Sequence, residues 1–312
     1  MVSISSSIFV YICVLLSVAF FTLLERKGLS YMQVRKGPNK VGVMGLPQPL
    51  ADGIKLLIKE VVSPVVSNYS VFVFAPILSL SLALALWQLY PSLYSSTYFK
   101  WGFLFFMCIS SLNVYGTLMA GWASNSKYAL LGSLRAVAQT ISYEVSMALI
   151  FLLPLLMGET FNLFEVLEAQ GKLVFSLLLL PVSLMWFVTC LAETNRAPFD
   201  FAEGESELVS GFNIEYGSVG FVLIFLSEYA NILFMGMLSS VLFLGGGLLW
   251  YFESNSLLVM SVLMFSYAFI WARASFPRYR YDLLMSLTWK VYLPISLSVM
   301  LVLVPLLLLF GA

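Results

Sequence analysis

Residues 193–217 read ETNRAPFDFAEGESELVSGFNIEYG. They hold six acids, Glu193, Asp200, Glu203, Glu205, Glu207 and Glu215, against Arg196 alone. Two further carboxyls, Glu144 and Glu228, stand inside long apolar runs. Carboxyls crowded together away from water raise each other's pKa and can then exchange protons near neutral pH. Acids graded from a surface loop toward a membrane interior form the skeleton of a proton path. A solvated acidic turn is the plain alternative for the loop. Against it stand the interleaved Phe199, Phe201, Leu208, Phe212 and Ile214, which a freely solvated loop would not need. A calcium loop would want Asp or Asn at alternating positions and a terminal Glu, and the match is poor.

Redox metal chemistry has no ligands to draw on. The chain has no His, and its three cysteines, Cys13, Cys108 and Cys190, lie 95 and 82 residues apart. No zinc, haem or iron–sulfur spacing can be built from them. They read as three small buried hydrophobes. With 16 basic and 16 acidic residues there is no charge bias toward nucleic acid.

The elements that position these acids must be membrane helices. Of 312 residues, 61% are hydrophobic and 10% charged, against about 25% charged in soluble domains. Barrel strands would alternate instead of running apolar. Eight stretches are long enough to cross a bilayer: 4–24, 71–90, 101–122, 137–157, 173–192, 218–243, 256–272 and 291–310. The first lacks a positive leader and is not a signal peptide. The expected architecture is one membrane domain over 1–312, all-α and polytopic, with no linker or repeat. Pro76, Pro154, Pro181, Pro294 and Pro305 fall inside spans, where each frees a carbonyl and can kink its helix.

The loops 25–70, 123–136, 193–217 and 273–290 hold 7, 2, 1 and 4 of the 16 Lys and Arg residues. The positive-inside rule puts these loops on the inner side and both termini outside. Seven or nine spans would scatter the charges. In the first loop, Pro47 and Pro49 precede a short amphipathic stretch. Its residues Ile54, Leu57, Ile58 and Val61 share one helical face. At about 12 residues it is too short to span and suits the interface, against lipid, another subunit, or both.

On this topology Glu144 lies about 10 Å deep and Glu228 about 15 Å, at about 1.5 Å per residue. A charge there costs roughly 2.5–3.5 kcal/mol on insertion scales, which makes function the default reading. The structural alternative is a carboxyl hydrogen-bonded between helices. Thr140 and Tyr143 flank Glu144, and Tyr229 and Asn231 flank Glu228.

The string AETNRAPFDFAEGESELVSGFNIEYG, with ERKGLSYMQVRKGPNKVG after the first span and SLRAVAQTISYE entering the fourth, resembles the chain 1 family of NADH–ubiquinone oxidoreductase, respiratory complex I. RASFPRYRYDLLMSLTWKVYLP resembles that family's last inner loop. The likeness covers essentially the whole chain, and its size and short loops resemble the mitochondrially encoded form. It implies eight transmembrane helices plus short interfacial amphipathic helices, with spans 2–6 similar to half of an antiporter-like unit. It implies the membrane part of a ubiquinone tunnel and the start of an acidic path to the proton-pumping arm. By motif, Arg26 and Asp52 match tunnel positions and Phe225 a wall position. Glu144, Glu193, Asp200, Glu203, Glu205, Glu207, Glu215 and Glu228 match the acidic path. Ubiquinone would be substrate, with FMN and iron–sulfur clusters only in partner subunits. The implied partners are soluble quinone-site subunits on the matrix face, neighbouring membrane subunits and phospholipids. The implied location is the mitochondrial inner membrane, termini toward the intermembrane space and large loops toward the matrix. Two other readings stay open from the residues: a stand-alone proton-coupled transporter, and the related subunit of a membrane-bound hydrogenase.

Overall fold

The computed structural model describes residues 2–91, 98–171, 173–202, 204, 209–245 and 255–310. Among these, every regular element is helical. The long helices are α1 (Val2–Met32), α3 (Tyr69–Leu86), α4 (Gly102–Ala123), α5 (Lys127–Gly158), α9 (Ser218–Phe243), α10 (Asn255–Ser275) and α12 (Leu293–Phe310). The shorter ones are α2 (Gln48–Ile58), α6 (Leu163–Ala169), α7 (Phe175–Leu178), α8 (Leu180–Glu193) and α11 (Tyr281–Leu287).

Among the described residues, seven helices are long and apolar enough to cross a membrane. The expected span over 173–192 is interrupted. It is α7 and the 14-residue α8, separated at Leu179, with Pro181 in the first turn of α8. Proline is favoured at that position because its missing N–H would be unpaired anyway. Alone, α8 is about 21 Å long at about 1.5 Å per residue, short of a hydrocarbon core of about 30 Å.

Two helices overrun their expected spans. α1 has 31 residues and α5 has 32, each longer than about 20 residues needed to cross. Glu, Arg and Lys are good helix formers, so α1 continues past its apolar run through Glu25, Arg26 and Lys27. Conversely, α2 stops at Ile58, so Val61 lies beyond it. The Val61–Val62 pair and Pro64 disfavour further helix. No residue of α2 is buried, and Leu50, Ile54, Leu57 and Ile58 are exposed. It rests against α1 and α9.

α9 is the central helix, buried almost continuously from Tyr229 to Phe243 and packed against α1, α3 and α10. Phe106, Phe151, Trp186 and Phe234 fill the core around it. Pro76, Pro154 and Pro305 sit inside helices. Pro294 follows a π turn over Thr288–Tyr292 that joins α11 to α12. A proline there has no N–H to give the preceding turn, and π geometry accommodates the gap.

Of the three cysteines, Cys190 is buried, while Cys13 and Cys108 are exposed on the bundle exterior. The expectation of three buried thiols fails for those two. On a lipid-facing surface a small apolar side chain need not be covered by protein.

Candidate functional site

A polar layer is built at the end of α8. Thr194 follows Glu193, and Asn195 takes a left-handed φ of 49°. The Asn195 N–H donates to Ala192 O and the Arg196 N–H to Leu191 O, both at 3.2 Å. This is a Schellman closure, which favours Gly or Asn at the left-handed position. From the far side Gln139 on α5 donates its amide to Ala192 O and Phe199 O, both at 2.9 Å. Residues 194–199 are therefore fixed at both ends, and Arg196 is placed inward.

Arg196 donates to Glu25 Oε1 at 3.0 Å. Its guanidinium lies 4.3 Å from the Tyr229 ring centroid, a cation–π geometry. Tyr229 donates its hydroxyl to Glu25 Oε2 at 2.5 Å, and Arg273 also donates to Glu25 Oε1. Glu25 is 5% exposed. Burial alone would lower the Arg196 pKa, but Glu25 and Tyr229 more than offset it and hold the guanidinium above its ordinary value. Glu228 is a further acid within the electrostatic reach of Arg196.

Beyond this hub lies a small polar cavity of about 40 Å³, lined by Glu193, Glu228, Asn195, Asn231, Thr117 and neighbours on α3 and α4. It has room for a few waters, each needing about 10–15 Å³. Glu193 Oε2, Asn195 Oδ1 and Asn231 Oδ1 are shielded and have no hydrogen-bond partner among the described residues. Such acceptors ask for water or a proton. Glu144, half-buried on α5, is an acidic neighbour within electrostatic reach of Glu193. Two of the side chains expected beside these acids bond elsewhere. Tyr229 is given to Glu25, and Thr140 bonds the carbonyls of Ala136 and Val137. The Tyr143 hydroxyl has no partner among the described residues.

The acidic loop docks on the segment that follows α10. Arg278 donates to Asp200 at 3.2 Å, the Tyr279 N–H donates to Pro198 O at 3.0 Å, and Phe199 and Phe201 pack on Tyr279 and Tyr281. Its second half lies against α5, where Gly132 approaches Gly211 so closely that a Cβ would sit 2.9 Å from the Gly211 Cα. Tyr216 stacks on Phe72 at 4.2 Å and donates to Phe72 O. Burial pushes the Tyr216 phenol pKa up. Phe199, Phe201 and Phe212 are buried and Ile214 half-buried, so the described part of this loop is folded rather than solvated. Glu215 is half-buried beside Tyr216. Glu203, Glu205, Glu207 and Leu208 lie outside the described residues.

Arg26 and Asp52 form one ion pair, 2.6 Å apart, with Gln48 donating to the other Asp52 oxygen at 3.0 Å. The pair ties α1 to α2. Phe225 lies between Phe221 and Tyr229 on one face of α9, with ring centroids 4.2 and 6.3 Å away. This aromatic row runs along α9 to the Arg196 hub.

Sequence reasoning missed Glu25, Arg273 and Arg278. Glu25 and Arg273 each fall at the end of an apolar run, Glu25 directly before Arg26 and Lys27. Nothing in composition separates an inward charge from a headgroup-facing one there. Among the described residues no group of three or more potential metal ligands exists.

These features define a polytopic helical membrane protein whose intramembrane acids meet a buried arginine–glutamate hub on one face. A family model described as NADH dehydrogenase matches residues 5–304. The chain is 55% identical to NADH-ubiquinone oxidoreductase chain 1 of Heterololigo bleekeri, covering 97% of both chains. It is 54% identical to the chain 1 of Aedes aegypti, over 96% of this chain and 94% of that one. It is also 54% identical to the chain 1 of Emballonura alecto, over 91% and 90%. The chain belongs to the NADH dehydrogenase family.

Proposed function

We propose that this chain is a core membrane subunit of the proton-pumping NADH–ubiquinone oxidoreductase of the mitochondrial inner membrane. In this reading it is one membrane domain over 1–312 with eight crossings, α7 and α8 together making the fifth. The charged loops face the matrix and the termini face the intermembrane space. It forms the membrane part of the ubiquinone tunnel and the start of the path that couples quinone reduction to proton movement. The relatives' shared name favours an oxidoreductase complex over a stand-alone transporter or a hydrogenase.

The observation that carries the coupling reading is the placement of Arg196. It touches Glu25 beside the α1–α2–α9 corner and interacts with Glu228 beside the polar cavity. α2, Arg26, Asp52 and the Phe221–Phe225–Tyr229 row border the quinone side. A mostly apolar isoprenoid quinone suits an apolar channel with a few polar anchors. The acids Glu228, Glu193 and Glu144 form the proton side, with Asp200, Glu203, Glu205, Glu207 and Glu215 at its entrance. The chain offers no redox centre, so electrons come from FMN and iron–sulfur clusters in partner subunits. Reduction of quinone to quinol consumes two protons and changes the charge balance beside the hub. Because neighbouring carboxyls titrate as a coupled set, that change is passed inward as protonation. Phospholipids complete the partner set.

Detergent purification tests the assignment. Recovery of the chain in a very large assembly with flavin and iron–sulfur absorption supports it. Recovery alone or as a homo-oligomer rejects it.

A further inference from the structure

On the face away from the charged loops, α5 and α12 enclose a groove of about 400 Å³. Its walls are apolar, with Leu152, Leu156, Val304 and Leu308 among them. One end is polar and carries Glu159, Thr160 and Phe161. Glu159 closes α5 with a φ of 54°, where glycine is the undemanding choice. A carboxylate stands there instead, exposed at the groove mouth. Thr160 Oγ1 beside it is shielded and has no hydrogen-bond partner among the described residues.

The same end carries a cation and an aromatic girdle. The Phe161 ring lies 5.5 Å from that of Trp101, and Lys100 Nζ lies 5.9 Å from the Trp101 ring centroid. Aromatic rings with a flanking lysine mark the membrane–water boundary. An apolar slot thus opens at headgroup level beside an anion and a hydroxyl, with the Lys100 cation adjoining through Trp101 and Phe161.

We propose that this groove binds one phospholipid with an amine-bearing zwitterionic headgroup, a phosphatidylethanolamine. An acyl chain fills the leucine-lined slot. The ammonium pairs with Glu159, and the phosphate takes the Thr160 hydroxyl and the Lys100 ammonium. The charge order selects against purely anionic lipids, whose headgroups lack a partner for Glu159. The site is independent of the quinone and proton groups described above.

A phosphatidylethanolamine with a photoactivatable acyl chain, added to the purified assembled complex, tests this. Label is expected on peptides covering 152–161 and 304–308, displaced by unlabelled phosphatidylethanolamine and poorly by phosphatidylglycerol. Glu159→Gln is expected to lower that labelling by about threefold, the scale of one exposed ion pair. Leu156→Trp, which fills the slot, is expected to abolish it. Absence of label from both peptides overturns the proposal. So does equal displacement by phosphatidylglycerol, or unchanged labelling of Glu159→Gln. Zero-length crosslinks from groove residues to a helix of another subunit would give the groove a protein occupant and likewise overturn it.

Discussion

Glu25 and Arg26 are consecutive residues of α1, yet they serve two different contacts. Successive helical side chains diverge by about 100°. Glu25 enters the bundle and accepts from Arg196, Arg273 and Tyr229, while Arg26 pairs with Asp52 of α2. One helix turn therefore anchors both the buried hub and the interfacial helix, and the two pairs should respond to mutation on very different scales.

Glu25→Ala leaves Arg196 and Arg273 facing each other without the carboxylate. Removing one member of a buried pair costs about 3–5 kcal/mol. The variant should give little assembled complex on native gels. Arg196→Lys keeps the charge but loses the planar fork and ring stacking, and should also assemble poorly. Because the Arg196 pKa is raised, its stabilisation is complete below the ordinary guanidinium pKa and fades only above it. Thermal stability of the wild type should therefore show no loss traceable to this group between pH 6 and 9. Normal assembly of Glu25→Ala would show that the hub is not structural.

Asp52→Asn breaks a pair whose members are 56% and 28% exposed. Such pairs contribute roughly 0.2–1 kcal/mol. Assembly should be unaffected. If Arg26 steers the quinone head, Arg26→Met should raise the quinone KM several-fold, and Asp52→Asn should change it less. Equal, wild-type KM values in both variants would remove the pair from the quinone side.

Gly132→Ala places a methyl against the Gly211 backbone at 2.9 Å. Overpacking of this kind costs about 1–3 kcal/mol. Faster proteolysis within 203–215 in the purified complex should report the displaced loop. Unchanged cleavage would mean that α5 and the loop can separate without cost.

Much of this arrangement could be read before any coordinates, for identifiable reasons. Apolar run length located the long helices, because a hydrocarbon core about 30 Å thick demands them. The acidic string and its interleaved phenylalanines announced a folded loop, and Phe199, Phe201 and Phe212 are buried. What stayed hidden was direction. The sequence pattern cannot say that Tyr229 serves Glu25 rather than its neighbour Glu228, since that depends on how α1 and α9 rotate against each other. Pro181 signalled a kink in the 173–192 run, but a proline reads alike whether it bends a continuous helix or opens a new one, so the interruption at Leu179 stayed hidden. The cysteines failed for a related reason: in lipid, apolar does not mean buried.

The topology is open to labelling. If the termini face the intermembrane space, single cysteines placed in 25–70 or 273–290 should react with impermeant thiol reagent only from the matrix side. A cysteine at Gly171 should react from the other. Labelling of the basic loops from the intermembrane space alone would invert the molecule.

The central claim is that Glu228 passes a charge change between the Arg196 hub and the polar cavity it shares with Glu193. Glu228→Gln keeps the shape but cannot change charge. In the assembled complex, quinone reductase activity and proton pumping should fall together, by at least about tenfold, or about 1.4 kcal/mol in barrier. An assembled Glu228→Gln complex that reduces quinone and pumps at wild-type rates would contradict the account and leave Glu228 a structural carboxyl.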